Sequence, residues 1–99
     1  MNARARLPNR RPAELFDFEH GGRRWTLTVG LFSDGRLAEL FIDAAKTSAL
    51  SEIAADAAII ASLALQSGCP LATLRHALAD RRSGPLAAAL GLVEGEAAR

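Results

Sequence analysis

The sequence predicts an α+β domain: a three-stranded antiparallel meander packed on one long helix, followed by two short helices. Three observations predict it. Leu50 to Ser67 is an unbroken run of good helix formers with no Gly or Pro inside, and Gly68-Cys69-Pro70 stops it. Before it, residues alternate with period two in three runs, divided by Gly21-Gly22 and Ser33-Asp34-Gly35. After it, Pro70 and Pro85 each open a short apolar segment, as suits the first position of a helix. Ninety-nine residues suit one domain with one core.

Met1 to Pro12 is a basic lead-in, with Arg4, Arg6, Arg10 and Arg11 and no acid, and Pro8 and Pro12 disfavour a helix there. In Ala13–His20, Phe16, Phe18 and His20 alternate with Asp17 and Glu19, which is strand periodicity. Gly21-Gly22 supplies a turn able to take positive φ. Arg23–Leu31 is the clearest strand, with Trp25, Leu27, Val29 and Leu31 on one face and Arg24, Thr26 and Thr28 on the other. Arg36–Asp43 makes the third strand. Its two faces, Ala38-Leu40-Ile42 and Leu37-Glu39-Phe41, are both fairly apolar, which suits a strand covered on two sides or an edge that meets a partner. Thr47, Ser48 and Ser51 are candidate N-caps of the long helix, and Gly68 is a natural residue just past its end. The second helix is predicted over Pro70–Ala79 and the last from Pro85 to Leu90, with Gly91 to Arg99 fraying. The organisation expected is therefore a basic flexible arm (1–12), one domain (13–93) and a frayed end (94–99).

At about 100° per residue, Ile53, Ala54, Ala57, Ile60, Ala61, Ala64 and Leu65 cover one broad face of the long helix. That face is expected on the sheet, with alanines permitting close approach. Glu52, Asp56, Ser62, Gln66 and Ser67 mark the opposite arc, from which Ile59 and Leu63 project one turn apart. Two large aliphatics there call for cover. The C-terminal helices of the same chain can supply it, and so can a partner, most simply a second copy in a symmetric homodimer.

Composition is that of a folded protein, 49% apolar and 23% charged, with net charge +1, so no global field argues for a nucleic-acid partner. One cysteine, Cys69, allows neither an internal disulfide nor a cysteine-based metal site, and fits a reducing cytoplasm. No apolar signal segment opens the chain. The long helix, short for a bilayer and edged by Glu52, Asp56 and Gln66, is read as soluble. The expected location is cytoplasmic, with no membrane partner.

Catalytic chemistry finds little support. His20 and His76 have no second ligand at metal spacing. Cys69 precedes a helix start, where the dipole can lower a thiol pKa, but no base is local. Asp17 and Glu19 read as two solvent-facing strand acids. No catalytic, metal or cofactor-binding residue is assigned, and no cofactor is expected. The best candidate site is an anion or nucleic-acid contact at Lys46, Thr47 and Ser48, where helix N–H groups, hydroxyls and an ammonium converge. Arg23 and Arg24 would join it if their strand ends nearby, and Arg10 and Arg11 of the basic arm are further candidate contacts.

The order of these pieces resembles the TSCPD domain. Gly22-Arg23-Arg24-Trp25-Thr26-Leu27-Thr28-Val29 carries the likeness, followed by Asp34-Gly35 leading to Ala38-Glu39-Leu40-Phe41-Ile42. Lys46-Thr47-Ser48 stands where the family has a Lys-Ser-Gly-like stretch, and Ala61 to Leu71 matches the family's run of helix, Ser-Gly, short residue, Pro and Leu. The similarity covers about residues 13–80. That module occurs at the C-terminal end of adenosylcobalamin-dependent (class II) ribonucleotide reductases and in short free-standing bacterial proteins. The resemblance implies an accessory relative, because one cysteine supplies neither the radical-bearing residue with its cysteine pair nor a relaying pair at the C-terminus. The function expected is a non-enzymatic module acting by protein–protein contact. Its expected partner is a ribonucleotide reductase or another nucleotide-metabolism protein, and it is expected to be a homodimer, with Ile59 and Leu63 at the interface. The alternative is nucleic-acid or nucleotide-phosphate binding through the basic arm and the Lys46 helix start.

Overall fold

The computed structural model describes residues 13–79 and 84–97. Three strands, β1 (Ala13–His20), β2 (Arg23–Leu31) and β3 (Leu37–Ala44), precede three helices, α1 (Ala49–Gln66), α2 (Leu71–Ala77) and α3 (Pro85–Ala97). The sheet is an antiparallel meander in the order β1-β2-β3, so the α+β architecture is the one the alternation and the long helical run predict. The basic arm, with Arg10 and Arg11, lies outside the described residues.

Register is set by the turns. His20 pairs with Arg23, which leaves a two-residue loop in which Gly21 and Gly22 take φ of 62° and 74°. Two successive positive φ values match the right-handed twist of the flanking strands and are strained for any side chain. The second turn is closed by hydrogen bonds from Phe32 N to Arg36 O (2.8 Å) and from Gly35 N to Phe32 O (2.9 Å).

One face of the sheet forms the core floor. Trp25, Leu27 and Val29 of β2 and Ala38, Leu40 and Ile42 of β3 are buried against Ala54, Ala58, Ala61 and Leu65 of α1 and Ala89, Leu90 and Val93 of α3. Phe18 stacks on Trp25 with ring centroids 6.4 Å apart, and the Trp25 indole N–H donates to His20 O at 3.0 Å. Each large side chain sealed in this way contributes about 1.5–3 kcal/mol.

Both ends of α1 are closed locally. Ser48 is the N-cap: its Oγ accepts from Ser51 N (3.2 Å), while Ser51 Oγ accepts from Ser48 N (2.8 Å). At the other end Gly68 takes φ of 99°, Gly68 N donates to Leu65 O and Cys69 N donates to Ala64 O, a Schellman arrangement.

The seating of α1 differs from the expected one. Ser62 and Gln66, expected on the outer arc, are buried, and Ile53 and Ile60, expected on the sheet, are both 65% exposed. The cause is the free edge of β3. Leu40 N donates to Ser62 Oγ (2.9 Å), the Ser62 hydroxyl lies 3.0 Å from Leu40 O and 2.8 Å from Ala58 O, and Gln66 Nε2 donates to Ala38 O (3.1 Å). Four helix residues advance about 6 Å and two strand residues about 6.7 Å, so one helical turn matches the step from Leu40 back to Ala38. The helix therefore runs antiparallel to β3 along its edge and caps backbone groups that β2, on the other side of β3, does not reach. A buried edge selects a hydroxyl and an amide where a sheet face would select aliphatics.

Two smaller corrections concern the C-terminal helices. Pro70 is the N-cap of α2, not its first residue, and α2 spans Leu71–Ala77 rather than reaching Ala79. α3 continues through Gly91 to Ala97, past the expected stop at Leu90. Val93, one turn on, is buried in the core and draws the helix onward.

Ser62→Ala leaves the Leu40 N–H buried without a partner and is expected to destabilise the domain by about 1–3 kcal/mol. The exposed Asp56→Ala on the same helix should change stability by no more than about 0.5 kcal/mol. Urea denaturation of the two variants checks this, and equal effects would contradict the edge-capping role.

Candidate functional site

Because the core and the β3 edge claim one side of α1, its other side faces outward. Ile53 and Ile60 are 65% exposed, Ile59 47%, Leu50 42% and Leu63 39%. The only charges on the helix are Glu52 and Asp56. The two helices after α1 leave Ile59 and Leu63 open. Ile53 and Ile60 extend this apolar face and were missed by the sequence reading, which buried them. The signal that would have placed them was the Ser62–Gln66 pair, once read as a strand-edge cap. The exposed fractions of Ile53, Ile59, Ile60 and Leu63 amount to about two whole side chains, so covering them would stabilise a complex by roughly 3–6 kcal/mol per copy. The helix also has the length and mean hydropathy (18 residues, 1.4) of a membrane span. Its Ser62 and Gln66, however, are bonded to β3 and its buried face belongs to the domain core. It is the central helix of a packed domain.

The basic residues meet at one end of the sheet. Ala45 N donates to Arg24 O at 3.2 Å and Trp25 pairs with Ala44, so Arg23 and Arg24 open β2 beside the segment that carries Lys46 and Thr47 into α1. Arg23, Arg24, Lys46 and Thr47 are exposed. Two features weaken this end as an anion site. Ser48 and Ser51 satisfy each other's backbone N–H groups in the capping box, and Glu19 stands directly across from Arg24 in the β1–β2 register.

The residues considered for catalysis do not converge. His20 lies at the end of β1, where its carbonyl accepts the Trp25 indole N–H. His76 is exposed on α2. Asp17 accepts from Thr26 Oγ1 at 3.1 Å on the outer sheet face. Cys69 is half-buried before the seven-residue α2, with Sγ 3.7 Å from Pro70 O. Among the described residues no three His, Cys, Asp or Glu side chains gather at metal-binding distance.

An open cavity of about 620 Å³ lies between the β2–β3 turn and the junction of α1 with α2. Its walls are mainly apolar, with Leu31, Phe32, Leu65, Leu71 and Val93 among them, and Cys69 borders it. Two charged groups at its rim engage each other: Asp34 accepts from Arg36 N (3.0 Å) and Arg36 Nε (2.6 Å), and the Arg36 guanidinium lies 4.9 Å from the centroid of the Phe32 ring. The Arg36 backbone N–H, then its side-chain hydrogen bond, hold the Asp34 carboxyl below its usual pKa. The stabilisation this gives is present above the ordinary carboxylate pKa and fades as pH falls through the lowered one. Both side chains are exposed, which keeps it small. Nothing in the sequence announced this cavity, since its lining draws on all three strands and all three helices.

No family model and no solved structure matches the chain. Its sequence is similar to short stretches of three much longer enzymes, each described as a vitamin B12-dependent ribonucleotide reductase. The Bradyrhizobium diazoefficiens enzyme is 40% identical over 72 residues, 72% of this chain and 6% of the reductase. The Agrobacterium fabrum enzyme is 37% identical over 93 residues, 93% of this chain and 7% of the reductase. The Rhodopirellula baltica enzyme is 34% identical over 84 residues, 84% of this chain and 8% of the reductase. The chain thus spans less than a tenth of the length of the relatives it matches, and it is related to one small region of vitamin B12-dependent ribonucleotide reductases.

Proposed function

We propose that this chain is a non-enzymatic accessory module of the TSCPD type, acting by protein–protein contact in a nucleotide-metabolism setting. The observation that carries the reading is the outer face of α1, where Ile53, Ile59, Ile60 and Leu63 stand exposed on a helix whose other side is sealed. Monomeric proteins avoid such a stripe, and contact surfaces use it. The similarity to a small region of vitamin B12-dependent reductases supplies the partner class: a ribonucleotide reductase or a protein that works with one. The scattered positions of His20, His76 and Cys69 support a role without catalysis, and the partner class supports a cytoplasmic location. Binding of the chain to a purified vitamin B12-dependent ribonucleotide reductase, such as the Agrobacterium fabrum enzyme, tests this by calorimetry. Saturable binding is expected, weakened at least about tenfold by Ile59→Asp with Leu63→Asp. The absence of binding, or binding indifferent to that double change, would refute the reading.

A second reading rests on the approach of Arg23 and Arg24 to the Lys46–Ser48 segment, secured by the Ala45 N to Arg24 O bond. On this reading that end contacts a nucleic-acid or nucleotide phosphate. Affinity for single-stranded DNA would then fall steeply with salt, and Arg23→Glu with Arg24→Glu would flatten the slope by about two phosphate contacts. A fluorescence-anisotropy titration across salt concentrations checks it, and no binding, or a flat response in the unaltered chain, eliminates it.

A further inference from the structure

The outer face of α1 carries a finer pattern than bare hydrophobicity. Ile53, Ala57, Ile60 and Ala64 recur at spacings of four, three and four residues, so they form one stripe along the helix. Large and small side chains alternate along it. Both isoleucines are 65% exposed, while both alanines are half-buried. The stripe is a row of knobs and hollows.

A stripe with these spacings maps onto itself when a second α1 is laid antiparallel across a twofold axis passing between Ala58 and Ile59. That holds for any residues at these four positions. What is particular here is the pairing of sizes. Ile53 meets the partner's Ala64, and Ala57 meets the partner's Ile60, so each knob faces a hollow. Parallel pairing would set isoleucine against isoleucine and alanine against alanine. Charge favours the same choice. Glu52 and Asp56 both lie in the N-terminal half of α1, and the other half carries no charge. Antiparallel helices keep the acids of the two copies apart and oppose their dipoles, whereas parallel helices bring like charges together.

We propose that the outer face of α1 docks a second copy of this chain, helix antiparallel to helix, with Ile53 and Ile60 of each copy seated over the alanines of the other. The inference deepens the reading of α1 as a contact face and names its occupant. From Ile53 to Ala64 the stripe is about 17 Å long. An interface of that length is at the small end of specific contacts, so the dimer should be concentration-dependent.

Sedimentation velocity from sub-micromolar to hundreds of micromolar chain tests the pairing. The unaltered chain should pass from monomer to dimer within that range. Ala57→Ile alone sets isoleucine against isoleucine, and Ile60→Ala alone sets alanine against alanine. Each should weaken the dimer at least about tenfold. The swap Ala57→Ile with Ile60→Ala keeps a large residue opposite a small one and should recover affinity to within about threefold of the unaltered chain. Neither position is in the core, and far-UV circular dichroism confirms that every variant folds. A chain monomeric at every concentration overturns the proposal, as does a dimer indifferent to Ile60→Asp or a swap as weak as the single changes. If the monomeric chain nonetheless binds the reductase, the contact-face reading stands and the self-pairing falls.

Discussion

The free edge of β3 is the constraint on which the rest of the molecule depends. A three-stranded meander has two open edges, and unpaired backbone groups near a core must find partners. Here the central helix supplies them. Ser62 satisfies Leu40 and Gln66 takes the Ala38 carbonyl, which fixes both the axis of α1 and its rotation about that axis. Ala54, Ala58 and Ala61 let the helix come close, and Leu65 closes the core beside them. Once the rotation is fixed in this way, Ile53, Ile59, Ile60 and Leu63 have no place inside the domain. The exposed face is thus a geometric consequence of how the sheet edge is capped.

That link explains what the sequence made legible and what it concealed. Period-two alternation and the diglycine turn located β1 and β2 because their signals are local. The run from Leu50 to Ser67 located α1, and Gly68 its end, for the same reason. The rotation of α1 was not legible, because a hydrophobicity argument assigns Ser62 and Gln66 to water and isoleucines to the core. The burial of those two polar side chains depends on strand residues 22 and 28 positions away, which no helical periodicity reports. The extent of α3 was hidden for a related reason: Gly91 reads as a stop, yet Val93 beyond it is drawn into the core. At the candidate site, Ile59 and Leu63 were visible as misfits within a polar arc, whereas Ile53 and Ile60 became visible only with the corrected rotation.

The other features of the surface carry less. The basic end is assembled by the β2–β3 pairing, but its capping hydroxyls are already engaged and Glu19 opposes Arg24. The cavity beside Cys69 is roomy and mainly apolar, but Asp34 and Arg36 at its rim are engaged with each other and with Phe32. The long reductases related to this chain devote less than a tenth of their length to the matching region.

The most direct test of the account is methyl NMR of the isoleucines and leucines while the chain is titrated with itself by concentration and then with a vitamin B12-dependent ribonucleotide reductase. The account predicts that the resonances of Ile53, Ile59, Ile60 and Leu63 shift or broaden while those of Leu27, Leu40 and Ile42 hold still. Perturbation confined to the cavity leucines Leu31 and Leu71, or none at any concentration, would contradict it.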